Sequence, residues 1–238
     1  MPAIATIHRR WGTHALAVGA QDLIIPERSA LPTGFPELDQ ALVCGGLPTG
    51  AMTELAGPPT SGLHTLALSV MAQAQARGLP AVYLDLGSGF TPAAAVRRGV
   101  RLADLLLLCP SDTAAAAAMP HAILRYGGGG VLVVDTTAPR LGIVGIAGLI
   151  VRLPQLRPTL ARTGWALVIL IPLSYEDAPF SAVTLPHADM RVRAHREQWI
   201  CAGRQVTGYT TSVSIVKQPH GPSISHLTIT IGCDWPAS

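Results

Sequence analysis

Lysine is almost absent from this chain. Lys217 is the only one among 17 basic side chains, the rest being arginine. Arginine and alanine richness of this kind fits a bias of genome composition and carries no function by itself. Charge is also scarce: 13% of the 238 residues are charged, and the net value of +3 does not demand a nucleic-acid partner. The four cysteines, Cys44, Cys109, Cys201 and Cys233, are far apart with no C-x-x-C pair, which argues against a zinc cluster and a disulfide scaffold. Long apolar runs are missing too. Ala166 to Leu173 is strand length, too short to span a bilayer. His8, Arg9, Arg10 and Trp11 interrupt the N-terminal stretch, so no signal peptide is expected, and a reducing cytoplasm is the expected location. What is plentiful is apolar residue, at 49%, enough to bury a full α/β core.

Periodicity divides the chain into alternating strands and helices. Spaced apolar positions at Ile4, Ile7, Trp11 and Leu16 predict a short helix outside the main sheet, either a packing arm or a subunit-docking arm. A short helix around Glu37–Leu42 follows, with Thr33 as its expected N-cap. Strands are expected at 52–56, 81–85, 105–109, 131–135 and 165–171. Helices are expected at 66–77, 92–98, 113–126 and 143–163, the last kinked or split by Pro154 and Pro158. This spacing implies a mostly parallel sheet covered on both faces. The tail changes character: 190–196, 207–217 and 225–231 alternate apolar and polar residues, as antiparallel strands at a sheet edge do. No repeat or linker interrupts the chain, which reads as an arm over 1–25 and one core domain over 26–238.

The stretch Gly57-Pro58-Pro59-Thr60-Ser61-Gly62-Leu63-His64-Thr65 lies between the strand 52–56 and the next helix. A strand, a glycine loop and a helix start form the layout in which backbone N–H groups and the helix dipole cradle phosphate. The phosphate-loop pattern G-x-x-x-x-G-K-[ST] has its glycines at Gly57 and Gly62, but Leu63 replaces the lysine and His64 the magnesium-binding hydroxyl. A lone histidine at a helix start is commonly a cap or packing residue, and no carboxylate or cysteine lies at metal-ligand spacing from it. Asp85 and Asp135 end strands at the carboxyl edge of the sheet, where α/β proteins bind ligands, and hydrogen bonding to neighbouring loops is role enough for both.

Taken together, the segments resemble the RecA recombinase core. Leu31 to Asp39, Gly45 to Gly50 and Thr53 to Pro59 are similar to that family's approach to its phosphate loop. Tyr83 to Pro92 and Arg98 to Leu106 resemble its next strand and helix, Val131 to Asp135 its Walker B strand, and Thr211–Lys217 with Ser225–Gly232 its closing hairpin. Ile7 to Gly12 is similar to its docking helix. The likeness ends near Gly232, so the family's separate C-terminal domain is not expected.

The resemblance implies an α/β RecA-like P-loop core, with a mostly parallel sheet, helices on both faces and an antiparallel edge hairpin near the C-terminus. It also implies sites that this sequence departs from. The water-activating glutamate of the family falls on Gly87, and its adenine-contacting aspartate and tyrosine fall on Thr91 and Ala94. Thr65, one residue on, is a weak substitute for the magnesium hydroxyl. Without the lysine and the base, several powers of ten in rate should be lost. No catalytic residue and no metal ligand set is therefore expected. No cofactor is required, and ATP with Mg²⁺ would bind weakly through residues 57–65, Asp135 and Lys217, the last matching a lysine that reaches a neighbouring subunit's nucleotide. The family's two DNA-binding loops correspond to Thr136–Gly145 and Pro172–His187, the second carrying Glu176 and Asp177, which repel phosphates. Arg191, Arg193, Arg196 and Arg204 form either a basic nucleic-acid edge or a solvated guard on an edge strand. The reading is a noncatalytic accessory protein of DNA repair, recombination or the SOS mutagenesis response, nearest in role to the short ImuA-type proteins. Its partner would be a recombinase, a translesion polymerase or a second copy docked through the arm. The alternative is a residual ATP-binding, DNA-dependent ATPase that binds single strands.

Overall fold

A computed structural model describes residues 29–87, 89–137, 148–149, 151–173, 187–219 and 225–233. The expected arm, the parts of both connecting loops at 138–147 and 174–186, and Glu176 and Asp177 lie outside the described residues. Two short strands, β1 (Ala30–Leu31) and β2 (Leu47–Pro48), pair antiparallel around helix α1 (Pro36–Ala41). Thr33 is not the cap of α1. Phe35 holds that position, and Thr33 sits two residues upstream, its hydroxyl accepting from Phe35 N at 3.2 Å while its own N–H donates to Asp39 at 2.8 Å. Pro36 fixes the helix start, so the threonine is displaced into the turn before it.

An eight-stranded sheet follows. Its strands are β3 (Ala51–Gly57), β4 (Ala81–Asp85), β5 (Leu105–Leu108), β6 (Gly130–Asp135), β7 (Trp165–Pro172), β8 (Met190–Ala202), β9 (Gln205–Lys217) and β10 (Ser225–Gly232). Their spatial order is β10-β9-β8-β3-β7-β6-β4-β5. The alternation of side chains on buried strands builds two cores. Leu55, Tyr83, Val133, Val168 and Val192 face helix α2 (Leu63–Ala76), whereas Met52, Leu84, Leu132, Ile169 and Trp165 face the helix at 113–124 and the helical residues at 151–163. The split expected at Pro154 is present as a tight 3-10 turn over Leu153–Leu156 before helix Arg157–Thr163.

Two expectations need correction. Strand β8 is not purely antiparallel: Met190–Arg193 pairs parallel with Thr53–Ala56, and only its other side meets β9 antiparallel. Arg191 is no part of an exposed basic edge. It is 1% exposed and donates from Nε to Glu54 Oε1 at 2.8 Å, across the β3–β8 pairing. A charge so buried persists only with a partner, and the partner here comes from the strand that carries the glycine loop. At the opposite edge, β5 leaves Leu106 and Leu107 exposed at 47% and 41%, because no strand among the described residues pairs beyond it.

The parallel pairing brings β8 so close to the loop that only glycine fits at position 57. A Cβ built there would lie 2.4 Å from the Ala194 carbonyl oxygen and 2.5 Å from Ser61 Oγ. Gly57→Ala must therefore push the loop off β8, at a cost of about 1–3 kcal/mol. Urea unfolding of the two proteins will read this as a lower midpoint with an unchanged slope.

Candidate functional site

The loop joins the carboxyl end of β3 to α2, and the acids ending β4 and β6 sit beside each other, Asp85 paired in register with Asp135. Helix α2 opens at Gly62, whose φ of +96° suits glycine, and no side chain caps it. Thr60 also has positive φ, +65°, an unfavourable conformation for a β-branched residue that costs about 1–3 kcal/mol. Contacts from the sheet hold the loop in this shape. Thr211 on β9 donates to Ser61 O at 3.2 Å, and Ile231 on β10 lies where a side chain at Gly62 would go.

The nine loop residues Gly57 to Thr65, with Thr137, Pro172 and Tyr209, enclose a cavity of 260 Å³. A second cavity of 180 Å³ adjoins it through His64, Thr65 and Tyr209 and is walled by Leu68, Ala94, Arg97, Arg98 and Cys233. The structure thus gathers the whole predicted loop. Lys217 is elsewhere: it pairs in register with Arg191, bonds the Ala188 carbonyl and lines neither cavity. Leu63, in the lysine position, is 4% exposed and packs in the core under α2.

His64 is the centre of the site. Its Nε2 lies 3.0 Å from Asp135 Oδ2, although 71 residues separate the two in sequence. The same oxygen accepts from Tyr83 OH at 2.7 Å, and Oδ1 accepts from Thr137 Oγ1 at 2.7 Å and Thr137 N at 2.9 Å. Both carboxylate oxygens are thereby occupied. The hydrogen bond to Asp135, with the charges of Asp135 and Asp85, raises the His64 pKa above 6.5 against the opposing effect of burial. Burial pushes the Asp135 carboxyl up, but His64, Thr137 and Tyr83 outweigh it and bring the carboxyl down to about 2. Burial beside Asp135 pushes the Tyr83 hydroxyl well above its ordinary range, so it stays a donor. Asp85 has the loop role expected of it, accepting from Gly87 N, Gly89 N and Phe90 N at 3.0–3.1 Å.

These residues do not fit a magnesium-bound triphosphate. The acid that would serve the metal holds an imidazole instead, the hydroxyl position supplies that imidazole, and the lysine position is a buried leucine. Among the described residues no group of three or more His, Cys, Asp and Glu side chains is placed to hold a metal ion. Nor is any helix there long and apolar enough to cross a membrane.

A mostly parallel sheet, a glycine loop opening the helix on its face, acids ending β4 and β6, and an antiparallel closing pair define the RecA-like class of α/β fold. The RecA N-terminal domain model matches residues 1–150, and the chain belongs to the RecA family. It is 31% identical to Protein RecA of Clostridium perfringens strain 13 over 92% of this chain and 68% of that one. Protein RecA of Methylococcus capsulatus is 36% identical over 57% of this chain and 39% of its own length. That of Xylella fastidiosa strain M23 is 28% identical over 96% and 73% respectively.

Sequence reasoning missed the His64–Asp135 pair. The signal that could have found it is topological: a helix start after one parallel strand and the end of another parallel strand share one edge of the sheet. A histidine whose pKa is raised in the folded state stabilises fully below pH 6.5 and loses that contribution as pH rises through the raised value. Thermal melts of the natural protein and His64→Gln should therefore differ most below pH 6.5 and converge in alkali. The same contact sets an acid limb: Asp135, held down against burial chiefly by His64, contributes above pH 3.8 and loses that contribution as pH falls towards about 2.

Proposed function

We propose that this chain serves DNA repair or recombination as a RecA-family protein that does not hydrolyse ATP and acts by binding a protein partner. Family membership supports the repair and recombination setting. The observation that carries the noncatalytic reading is His64 lying on Asp135 at 3.0 Å. In a Mg²⁺-dependent phosphoryl transfer the acid and the loop hydroxyl hold the ion, and the lysine neutralises the transferring phosphate. Here the imidazole side chain satisfies the acid directly, and Leu63 brings no charge. Gly87, where the family's water-activating glutamate falls, offers a backbone N–H to Asp85 and no base.

The partner is a recombinase filament, a translesion polymerase or another copy of this chain, approached through residues 1–25 in the accessory manner of ImuA-type proteins in the SOS response. Its setting is the cytoplasm, where those partners act. The apolar spacing of Ile4, Ile7, Trp11 and Leu16 supports the docking role.

Phosphate release from ATP, with and without single-stranded DNA, tests the first half of this reading. Turnover should stay at the level of buffer for the natural protein, and DNA-stimulated release would overturn the noncatalytic reading. Co-sedimentation with purified recombinase filaments and pull-down with a translesion polymerase test the second half. The full chain should bind one of them or itself, and a chain lacking residues 1–25 should lose that binding while keeping its melting temperature.

A further inference from the structure

Strand β5 ends the sheet with four leucines, Leu105–Leu108. Among the described residues its strand neighbour is β4 alone, paired parallel from Ala81 to Leu84. The N–H and C=O groups on its other side form an edge of the kind that accepts a further strand. Folded proteins ordinarily guard such an edge with charge, proline or a bulge. The far edge of this sheet is polar: on β10, exposed His226, Thr228 and Thr230 alternate with buried Ile229 and Ile231. Strand β5 has no such guard. Its side chains are apolar throughout, and Leu106 and Leu107 stand exposed.

The two exposed leucines lie on opposite faces. Leu106 pairs in register with Val82, which joins the core beside the helix at 113–124, whereas Leu107 pairs with Tyr83 on the α2 side. Exposed Leu102, in the turn that leads into β5, widens the apolar area. An occupant must therefore present apolar side chains on both faces. Ile4, Ile7, Trp11 and Leu16 recur at helical spacing and give the arm one apolar face, which would leave one of the two leucines bare. The strand that meets the requirement is β5 itself. About a two-fold axis normal to the sheet, two copies of β5 run antiparallel and every residue keeps its face. Directly opposed residues of an antiparallel pair share a face, so the axis passes beside Leu106 or Leu107, and the central pairs are leucine on leucine.

We propose that β5 is a self-association edge, at which two copies of this chain pair β5 to β5 antiparallel and make one sheet continuous across both. In either register the segment carrying exposed Arg101 comes alongside the segment carrying exposed Asp112 of the other copy, so a cation meets an acid at both ends of the contact. The contact consumes the β5 edge of each copy, and assembly stops at two. Because the strands oppose, the carboxyl edges of the two sheets, with their glycine loops, point in opposite directions. This contact goes beyond docking through residues 1–25, and an arm variant tells the two apart.

Analytical ultracentrifugation of the full chain tests it. Between about 1 and 100 µM the mass should rise to twice the 24.8 kDa of one chain and stop there. Leu107→Lys and Leu107→Glu should each raise the dimer dissociation constant at least about tenfold, because like charges then face each other near the axis. Mixed in equal amounts, the two variants should recover a heterodimer, as only contact of position 107 with its own counterpart allows. Trp11→Glu should leave the dimer unchanged. The proposal is overturned by a monomer throughout, by assemblies that keep growing with concentration, or by loss of the dimer in Trp11→Glu. It is overturned equally if Leu107→Lys dimerises within about twofold of the natural chain, or if the mixture recovers nothing. Melting curves establish that each variant is folded. Where a charge at 107 is not tolerated, Leu106→Lys and Leu106→Glu, run alone and mixed, decide in the same way.

Discussion

The contact between His64 and Asp135 is the constraint on which the reading of this molecule turns. A carboxylate only 2% exposed at the end of a central strand needs compensation, because burial disfavours its charged form. In a metal-dependent site the ion provides much of that compensation. Here the protein provides it from within, through one imidazole, one phenol and a threonine that donates twice. The acid is thereby charged and stable without any ligand. The imidazole that meets this acid is itself half-exposed on the cavity side.

The second determinant is the join between β3 and β8. Glu54 and Arg191 tie the two strands inside the sheet, so the direction in which β8 leaves is set by a buried ionic contact and by four parallel pairs. From that anchor β8 runs past the loop with β9 paired along it. The positions of Arg196, Trp199 and Tyr209 therefore follow from pairing far from the cavity. The loop, the β8–β9 pair and the two acids are one unit, assembled from segments up to 150 residues apart.

Much of this architecture was legible in the sequence, because it rests on local patterns. Apolar strands bounded by glycine and proline, the alanine-rich helix and the glycine loop each carry their own signal, and their order implies a parallel sheet. Phe35 taking the cap from Thr33 was not legible, since Pro36 decides the helix start and capping preferences do not register that competition. Parallel pairing of β8 was hidden as well. Its alternation is the same whether its neighbour runs parallel or antiparallel, and Arg191 reads as a surface cation unless Glu54 is known to lie opposite. The site was legible as a location but not as chemistry. Leu63 announces the missing charge in the sequence, whereas His64 on Asp135 and Arg196 on Thr60 join residues 71 and 136 positions apart. No periodicity reports contacts of that range.

The preserved loop shape should not be mistaken for evidence of a ligand. Gly57 is required by the Ala194 carbonyl, Gly62 by its positive φ and by Ile231, and Thr211 holds the Ser61 carbonyl. Those contacts come from the sheet and would maintain the loop in a protein that bound nothing. Charge is the property the sheet does not dictate. Arg196 donates to the Thr60 hydroxyl and stacks on Trp199, so its guanidinium braces the strained loop residue from β8. Its position over Trp199 and against Thr60 also requires a bulge, which interrupts the ladder at that point. Fold therefore accounts for the glycines, and the bulge accounts for Arg196 lying over Trp199 and against Thr60.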